Sequence, residues 1–307
     1  MRYSGHEWFP CRYAWLPKAY ALIQEDPSAL ANDEHAVTEL GIGKNMVRAL
    51  RFWAVAMGVI ESSAEGYRPT HFGSSIFGQE GLDPYLEDIH TLLLLHWKVS
   101  TAEDPLFAWD YILNHWHKPE IVRGVILPDF IREANSGART YSEVTLRQHF
   151  DVFMQVYVAG TSTRAGAGED HLDSPLVEIG LFEQVGERMV ARKREPVYVF
   201  RSGPKPEVSP ELFAYALREF WARHYASDRT LPFRTIALSP GSPGRVFRLS
   251  EGEVRDRLEQ VGDATEGHLV YRESAALPQV EQSSQASIGD STFGADLLDR
   301  IYAPVFA

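Results

Sequence analysis

Cysteine is almost absent from this sequence of 307 residues, which contains only Cys11. A single cysteine excludes an intrachain disulfide and a zinc site built from several thiolates of one chain. The N-terminus also lacks the charged and apolar regions of a secretory signal peptide. We therefore expect a cytoplasmic protein.

Long apolar runs are missing as well. Apolar stretches such as residues 52–60 and 91–95 are far shorter than the roughly 20 residues that a membrane-spanning helix needs. These lengths are typical of core segments, so we expect no membrane partner. The sequence also has no internal repeat of fixed period.

Positive charge is in deficit. The chain has 30 Lys and Arg residues against 42 Asp and Glu residues, which gives a formal net charge of −12. This balance argues against a protein that coats nucleic acid over its whole surface. Screening at physiological salt confines charge effects to about 8 Å, so a local basic surface can still bind DNA. Any DNA contact should therefore be local and sensitive to salt.

Apolar and aromatic residues are plentiful and indicate a folded protein. Hydrophobic residues make up 44% of the chain, enough for one large core or two to three smaller ones. The pattern predicts a mainly α protein with small β-hairpins, an α+β fold. We expect a winged helix-turn-helix in residues 1–80, a helical middle region ending in a basic hairpin in 81–205, and a second winged-helix-like unit with a terminal helix in 206–307.

Residues 33–78 are the stretch around which the chain is organised. Asn32 or Asp33 can cap a helix to about Leu40, and Gly41 and Gly43 interrupt it. A second helix is predicted from residue 44 to about 57, followed by a short hairpin whose strands are residues 59–61 and 67–69. The order predicts a helix-turn-helix followed by a β-wing.

The second helix of this pair has one apolar and one basic face. A basic face that also carries an amide can enter a DNA major groove. The alternative is an ordinary helical hairpin with a solvated face. The predicted DNA contacts of this unit, including one in the wing, are Lys44, Asn45, Arg48, Arg51 and Arg68.

A second basic surface is predicted further along the chain. Residues 189–194 and 197–201 alternate as strands do, with Pro196 at the turn between them. This hairpin has the densest positive charge of the chain and suits contact with phosphates, which requires charge alone. A solvated hairpin face is the alternative. Its predicted DNA contacts are Arg192, Lys193 and Arg194.

Polar chemistry is concentrated among aromatic residues in residues 3–13. His6 supplies a titratable base, Glu7 a carboxylate and Arg12 a fixed cation. These three side chains could coordinate a metal or bind a phosphate. They could equally form a buried polar network that ties this segment to the winged unit.

An acidic group follows the stretch of Gly, Ala and Thr at residues 161–168. It contains Glu169, Asp170, His171 and Asp173, which could hold a divalent cation through oxygen ligands. An exposed acidic loop is the alternative.

Further helices are predicted over 105–117, 120–126 and 142–159. In the last third, helices are predicted at 210–224, 231–238 and 251–261, the last opened by a capping box of Ser250 and Glu253. Strands at 269–272 and 277–280 complete an order that resembles a second winged helix. Its helix at 251–261 is largely acidic, which favours contact with protein rather than with a DNA groove.

Six short motifs are spread over nearly the whole chain. They are residues 4–9 (SGHEWF), 12–16 (RYAWL), 39–47 (ELGIGKNMV), 83–88 (DPYLED), 173–178 (DSPLVE) and 242–247 (SPGRVF). Together these motifs resemble the SspB family of bacterial DNA phosphorothioation defence modules.

This resemblance implies a DNA nickase that acts on double-stranded DNA beside a cysteine desulfurase, an ATPase and an ATP pyrophosphatase. The strand break would let sulfur replace a non-bridging phosphate oxygen. The residues themselves contain no clean nuclease signature. The best catalytic candidates are His6, Glu7 and Arg12, with Mg²⁺ or Mn²⁺ as a cofactor and Glu7, Asp170 and Asp173 as metal ligands.

Two alternatives to a nickase stay open. One is a non-catalytic winged-helix adaptor or regulator that presents DNA to partner enzymes. The other is a scaffold whose helix pairs bind only proteins.

Overall fold

A computed structural model of the protein describes residues 1–160, 174–273, 277–283 and 288–303. The chain divides into two compact units, residues 1–201 and 202–307. Helices dominate both, and the described strands form small antiparallel sheets, so the fold is a mixed α+β fold as predicted. The division at residues 80 and 205 stays a prediction.

In the described residues, no helix combines the length and the apolar character needed to cross a membrane.

The first unit opens with α1 (Trp15–Glu25), α2 (Asp33–Leu40), α3 (Lys44–Ala56), β1 (Ile60–Ser63), β2 (Gly66–Pro69) and α4 (His71–Phe77). The Asn32 side chain accepts hydrogen bonds from the first backbone N–H groups of α2, and Gly41 ends that helix with a left-handed φ of 64°. Strands β1 and β2 pair antiparallel, with Glu61 opposite Arg68. The predicted positions of these two helices and the hairpin are confirmed.

The rest of the first unit contains α5 (Ile89–Ser100), α6 (Phe107–Asp110), β3 (Glu120–Ile121), α7 (Arg123–Ala134), α8 (Glu143–Tyr157), β4 (Phe182–Val190) and β5 (Lys193–Phe200). The helix predicted at 105–117 is a single α-turn that continues as the π-helical turn Tyr111–His115. The helix predicted at 120–126 is wrong at its start. Residues 120 and 121 pair with β5, and the helix begins only at residue 123, because two β-branched residues precede it.

The basic hairpin turns at a different place from the prediction. Ala191 and Arg192 form the turn with left-handed φ angles of 48° and 68°, and Pro196 lies inside β5 opposite Glu187. The sheet order is β3-β5-β4, but β3 pairs only with residues 198 and 199 of β5. A proline, which has no N–H to donate, is tolerated there because the strand has a single neighbour at that point.

The second unit contains α9 (Pro210–His224), β6 (Thr230–Pro232), α10 (Phe233–Leu238), α11 (Pro243–Val246), α12 (Glu251–Glu259), α13 (Val261–Ala264), β7 (Leu269–Arg272), β8 (Gln279–Gln282) and α14 (Ser291–Ile301). The capping box of Ser250 and Glu253 is confirmed. The helix predicted at 231–238 starts later, at residue 233, because residues 230–232 pair with β8.

The core of the first unit is an aromatic cluster under α3, α6 and α8. Trp53 of α3 meets Trp109 edge to face with centroids 5.7 Å apart, and Trp109 meets Phe153 of α8 in the same way at 5.0 Å. The Trp109 indole N–H donates to the Tyr157 hydroxyl over 2.8 Å. These buried rings fix α3 against the helices of the middle region.

Gly73 marks the closest approach of backbone to backbone beneath the hairpin. A Cβ at this position would lie 2.1 Å from the Val59 carbonyl oxygen. We expect Gly73→Ala to lower the free energy of unfolding by about 3 kcal/mol or more, since neither backbone can move away. Gly252→Ala in α12, where the nearest atom is 4.0 Å away, is the matched control and should leave stability equal or slightly higher. Urea unfolding measures the free energy of unfolding of both variants. An equal loss of stability in Gly73→Ala and Gly252→Ala would contradict the prediction.

Candidate nucleic-acid interface

The basic face of α3 is organised around one carboxylate. Asp33, at the start of α2, lies 2.8 Å from Nε of Arg48, 3.2 Å from a terminal nitrogen of Arg51 and 3.8 Å from Nζ of Lys44. Partial burial raises the pKa of Asp33, but the hydrogen bond from Arg48 and the charges of Arg51, Arg48 and Lys44 outweigh it, so the pKa lies below its ordinary value. Three cations around one anion leave an excess of positive charge at this surface.

The three cations differ in their accessibility. The side chains of Lys44 and Arg48 are 54% and 39% exposed, whereas that of Arg51 is 23% exposed. Arg51 also donates to the Leu30 carbonyl over 2.6 Å. Arg51 therefore ties α3 to the turn before α2, while Lys44, Arg48 and the exposed Asn45 remain available to a ligand.

The hairpin after α3 carries the predicted wing contact. Arg68 of β2 is exposed, and its guanidinium lies 2.7 Å from the Glu61 carboxylate on the opposite strand. An exposed cross-strand pair of this kind contributes little to stability. A phosphate can therefore compete for Arg68 at low cost.

The predicted phosphate contacts of the second hairpin lie at its tip. Arg192, Lys193 and Arg194 are all exposed, and Arg192 is one of the two turn residues. Arg194 lies 3.6 Å from the Glu187 carboxylate. The tip thus presents positive charge to solvent on a narrow two-stranded ribbon.

His6 lies in the interior rather than on the surface. It is 2% exposed, and its Nε2 lies 3.0 Å from Nδ1 of His149 on α8. Its Nδ1 accepts a hydrogen bond from the Trp8 backbone N–H at 3.1 Å, and Nε2 of His149 accepts one from the Ala108 N–H at 3.1 Å. Every ring nitrogen of the pair therefore faces a polar partner.

Counting hydrogens shows that this pair rejects a further proton. Nδ1 of His6 and Nε2 of His149 accept from the backbone N–H groups of Trp8 and Ala108, so the one N–H of each neutral ring lies on the two ring nitrogens that face each other. One of these two N–H groups therefore has no acceptor. A further proton on either ring would bring a second pair of N–H groups into opposition. Burial lowers the pKa of His6 to about 4, and burial together with the neighbouring His6 lowers the pKa of His149 well below its ordinary value.

Glu7 and Arg12 lie in the same segment as His6. Glu7 is half-buried and has a left-handed φ of 47°. The Arg12 guanidinium lies over the rings of Phe9 and Trp15, at 5.9 and 5.5 Å from their centroids. His149 was missed from the sequence, although its place on the apolar face of α8, between Leu146 and Phe153, was a signal of a buried polar partner.

The predicted metal ligands are only partly described. Asp170 and Asp173 lie outside the described residues, so the structure places only Glu7. In the ranges that the structure does describe, no three His, Cys, Asp or Glu side chains converge in a way that fits a metal ion. Those side chains alone therefore do not form a metal site.

Comparison with known proteins places the chain in a family. The model of a family described as "Protein of unknown function (DUF4007)" matches residues 3–302. No curated protein sequence matches significantly. A magnesium ion-bound SspB crystal structure matches with a TM-score of 0.83 and 27% identity, covering 98% of this chain and 89% of that one. A second SspB crystal structure matches with a TM-score of 0.81, the same identity and the same coverage.

These findings confirm the resemblance to SspB drawn from the sequence motifs. The similarity extends through both compact units and includes residues 3–13 and the α3 surface. The chain belongs to the DUF4007 family.

Proposed function

We propose that this protein is a cytoplasmic DNA-binding component of a phosphorothioation module for anti-phage defence, and that it nicks the duplex it binds. The observation that carries DNA binding is the accessible group of Lys44, Asn45 and Arg48 at the start of α3, of which Lys44 and Arg48 pair with Asp33. Similarity to SspB supports the place in phosphorothioation, and the nicking activity is what the sequence resemblance to that family implies.

The DNA-binding unit is a winged helix-turn-helix formed by α2, α3 and the β1–β2 hairpin. Recognition helices use their N-terminal residues on base edges, and Lys44 and Asn45 are the first two residues of α3. An asparagine amide can pair with the donor and acceptor of adenine, and a lysine or arginine can bind guanine or phosphate. Arg68 and the tip residues Arg192, Lys193 and Arg194 add phosphate contacts, which position the duplex without reading its sequence.

In the nicking reaction, His6 is a positioning residue rather than a base. Its nitrogens are engaged by Trp8 and His149, and its low pKa keeps it neutral at pH 7. Glu7 and Arg12 are left as the residues of this segment that act on the phosphate. Mg²⁺ or Mn²⁺, which would supply charge stabilisation when bound, belongs to the proposal because a similar SspB structure is magnesium ion-bound.

A non-catalytic adaptor is the second candidate function. The burial of His6 between Trp8 and His149 favours it, because an imidazole closed off from solvent cannot transfer a proton to a bound phosphate. Such an adaptor would present duplex DNA to partner enzymes. For both candidate functions, we propose a cysteine desulfurase, an ATPase and an ATP pyrophosphatase as these partners.

A plasmid assay separates the two candidates. Supercoiled plasmid incubated with the protein and Mg²⁺ or Mn²⁺ should become open circle, and a chelator should stop the reaction. Glu7→Ala should reduce nicking to background while duplex binding is kept. Glu103→Ala, which removes an exposed carboxylate elsewhere in the same unit, should nick as the wild type does.

The outcomes are distinct. Duplex binding without nicking under every metal condition supports the adaptor and contradicts the nickase. Absence of duplex binding even at low salt contradicts both.

A further inference from the structure

Trp8 is the one tryptophan that the fold leaves in solvent. It is 65% exposed, whereas the other six tryptophans of the chain are buried. Burial of a tryptophan side chain is a large source of stability, and Trp8 contributes less of it than the six buried tryptophans do. Its exposure leaves the indole ring accessible to another molecule.

The backbone under Trp8 is strained and fixed. Glu7 and Trp8 have consecutive left-handed φ angles of 47° and 70°, a conformation that costs about 1 kcal/mol or more per residue for side chains with a Cβ. Hydrogen bonds hold it on both sides. The Trp8 N–H donates to His6 Nδ1 over 3.1 Å, and the Phe9 N–H donates to the His6 carbonyl over 2.8 Å. The buried pair of His6 and His149 thus anchors a turn that presents Trp8 outward.

This turn is attached to α3. The Trp53 indole N–H donates to the Phe9 carbonyl over 2.9 Å, and a Cβ at Gly5 would lie 2.7 Å from the Phe52 ring. The His6 ring meets Phe52 edge to face at 5.8 Å. Phe52 follows Arg48 by four residues, so both lie on one side of the helix. The presenting turn therefore borders the face that carries Arg48.

We propose that Trp8 stacks on a base, or wedges against a base step, of the duplex bound by α3. The inference rests on the proposed DNA binding and adds an aromatic contact to it. An exposed ring on a fixed backbone turn that packs on a basic helix suits this role, because every base has a π face and stacking needs no sequence-specific hydrogen bond. Apolar side chains presented to a groove also unstack base steps and bend the duplex.

The test uses the full chain and a short duplex that carries 2-aminopurine at successive positions. Trp8→Ala should weaken duplex binding by about 10-fold, with no change in the slope of affinity against salt because indole has no charge. The wild type should change 2-aminopurine fluorescence at one position, with a rise where the base step is unstacked and a fall where the indole stacks on the base, and Trp8→Ala should abolish the change. Trp8→Phe, which keeps a stacking ring, should stay within about 3-fold of the wild type.

The control is Tyr85→Ala, which removes another highly exposed aromatic side chain of the same unit and should not alter binding. Duplex binding that Trp8→Ala leaves unchanged overturns this inference alone and leaves the proposed function intact. Absence of duplex binding by the wild type overturns both. Equal losses for Trp8→Ala and Tyr85→Ala also overturn the inference, since they would indicate a non-specific surface effect.

Discussion

Replacing Lys44 and Arg48 together by alanine is expected to weaken duplex binding by about 30-fold at low salt, since each charged contact contributes on the order of 1 kcal/mol. Each lost phosphate contact also removes about one unit from the slope of log affinity against log salt, so the slope should fall by about two. Fluorescence anisotropy with a labelled duplex over a salt series measures both quantities.

The matched control is Lys18→Ala/Arg139→Ala, which removes the same charge from exposed positions elsewhere in the first unit. It should lower affinity only slightly, because screening confines charge effects to about 8 Å. Similar losses in both double variants would show that net charge, rather than the α3 face, determines binding.

Arg51→Ala tests whether Arg51 stabilises the fold or contacts DNA. It removes the bond to the Leu30 carbonyl and one partner of the half-buried Asp33. We expect lower thermal stability with a smaller loss of affinity than in Lys44→Ala/Arg48→Ala. The opposite ranking would place Arg51 in contact with DNA.

Acidification from pH 6.5 to pH 4.5 is expected to lower the free energy of unfolding of the first unit by about 2 kcal/mol through His6 alone, and by more through His149. The cause is His6, whose pKa is lowered to about 4 in the folded protein, and His149, whose pKa is lowered in the same direction. Above pH 6.5 the histidines are neutral in both states, and their contribution is fully present. Below it the unfolded chain takes up protons that the native chain rejects, so stability is lost as the pH falls.

Tryptophan fluorescence during urea unfolding reports this transition, because six of the seven tryptophans lie in residues 1–201. His149→Gln should flatten the pH dependence, since an amide oxygen can still accept from the Ala108 N–H but does not titrate. His71→Gln, at an exposed histidine, should leave the dependence unchanged. Identical slopes in the wild type and His149→Gln would contradict the assignment.

Local signals account for the parts of the fold that the sequence predicted. Asn32, Gly41 and Gly58 begin and end helices through hydrogen bonds or φ angles within a few residues, so α2, α3 and the hairpin could be placed. The hairpin tip was misplaced because Pro196 suggested a turn. β5 tolerates this proline because β3 pairs only with residues 198 and 199, and that pairing depends on the tertiary structure rather than on the local sequence.

The candidate site was predictable in composition but not in arrangement. Lys44, Asn45 and Arg48 followed from helical periodicity. The pairing of His6 with a residue 143 positions away, and the gathering of three cations by Asp33, depend on packing between elements. The exposure of Trp8 could not be foreseen, since a tryptophan among aromatic residues is ordinarily a core residue.

The position of Asp33 has a consequence for how selective the α3 surface is. Its carboxylate pairs with Lys44 and Arg48, so part of the side-chain entropy that phosphate binding would cost is already lost before any ligand arrives. The same carboxylate is an internal competitor that an incoming anion has to displace or share. A lone phosphate gains little from that exchange, whereas a backbone that also meets Arg68 gains several contacts at once. In the proposed DNA binding, Asp33 would thereby disfavour stray anions and favour an extended polyanion of the right shape.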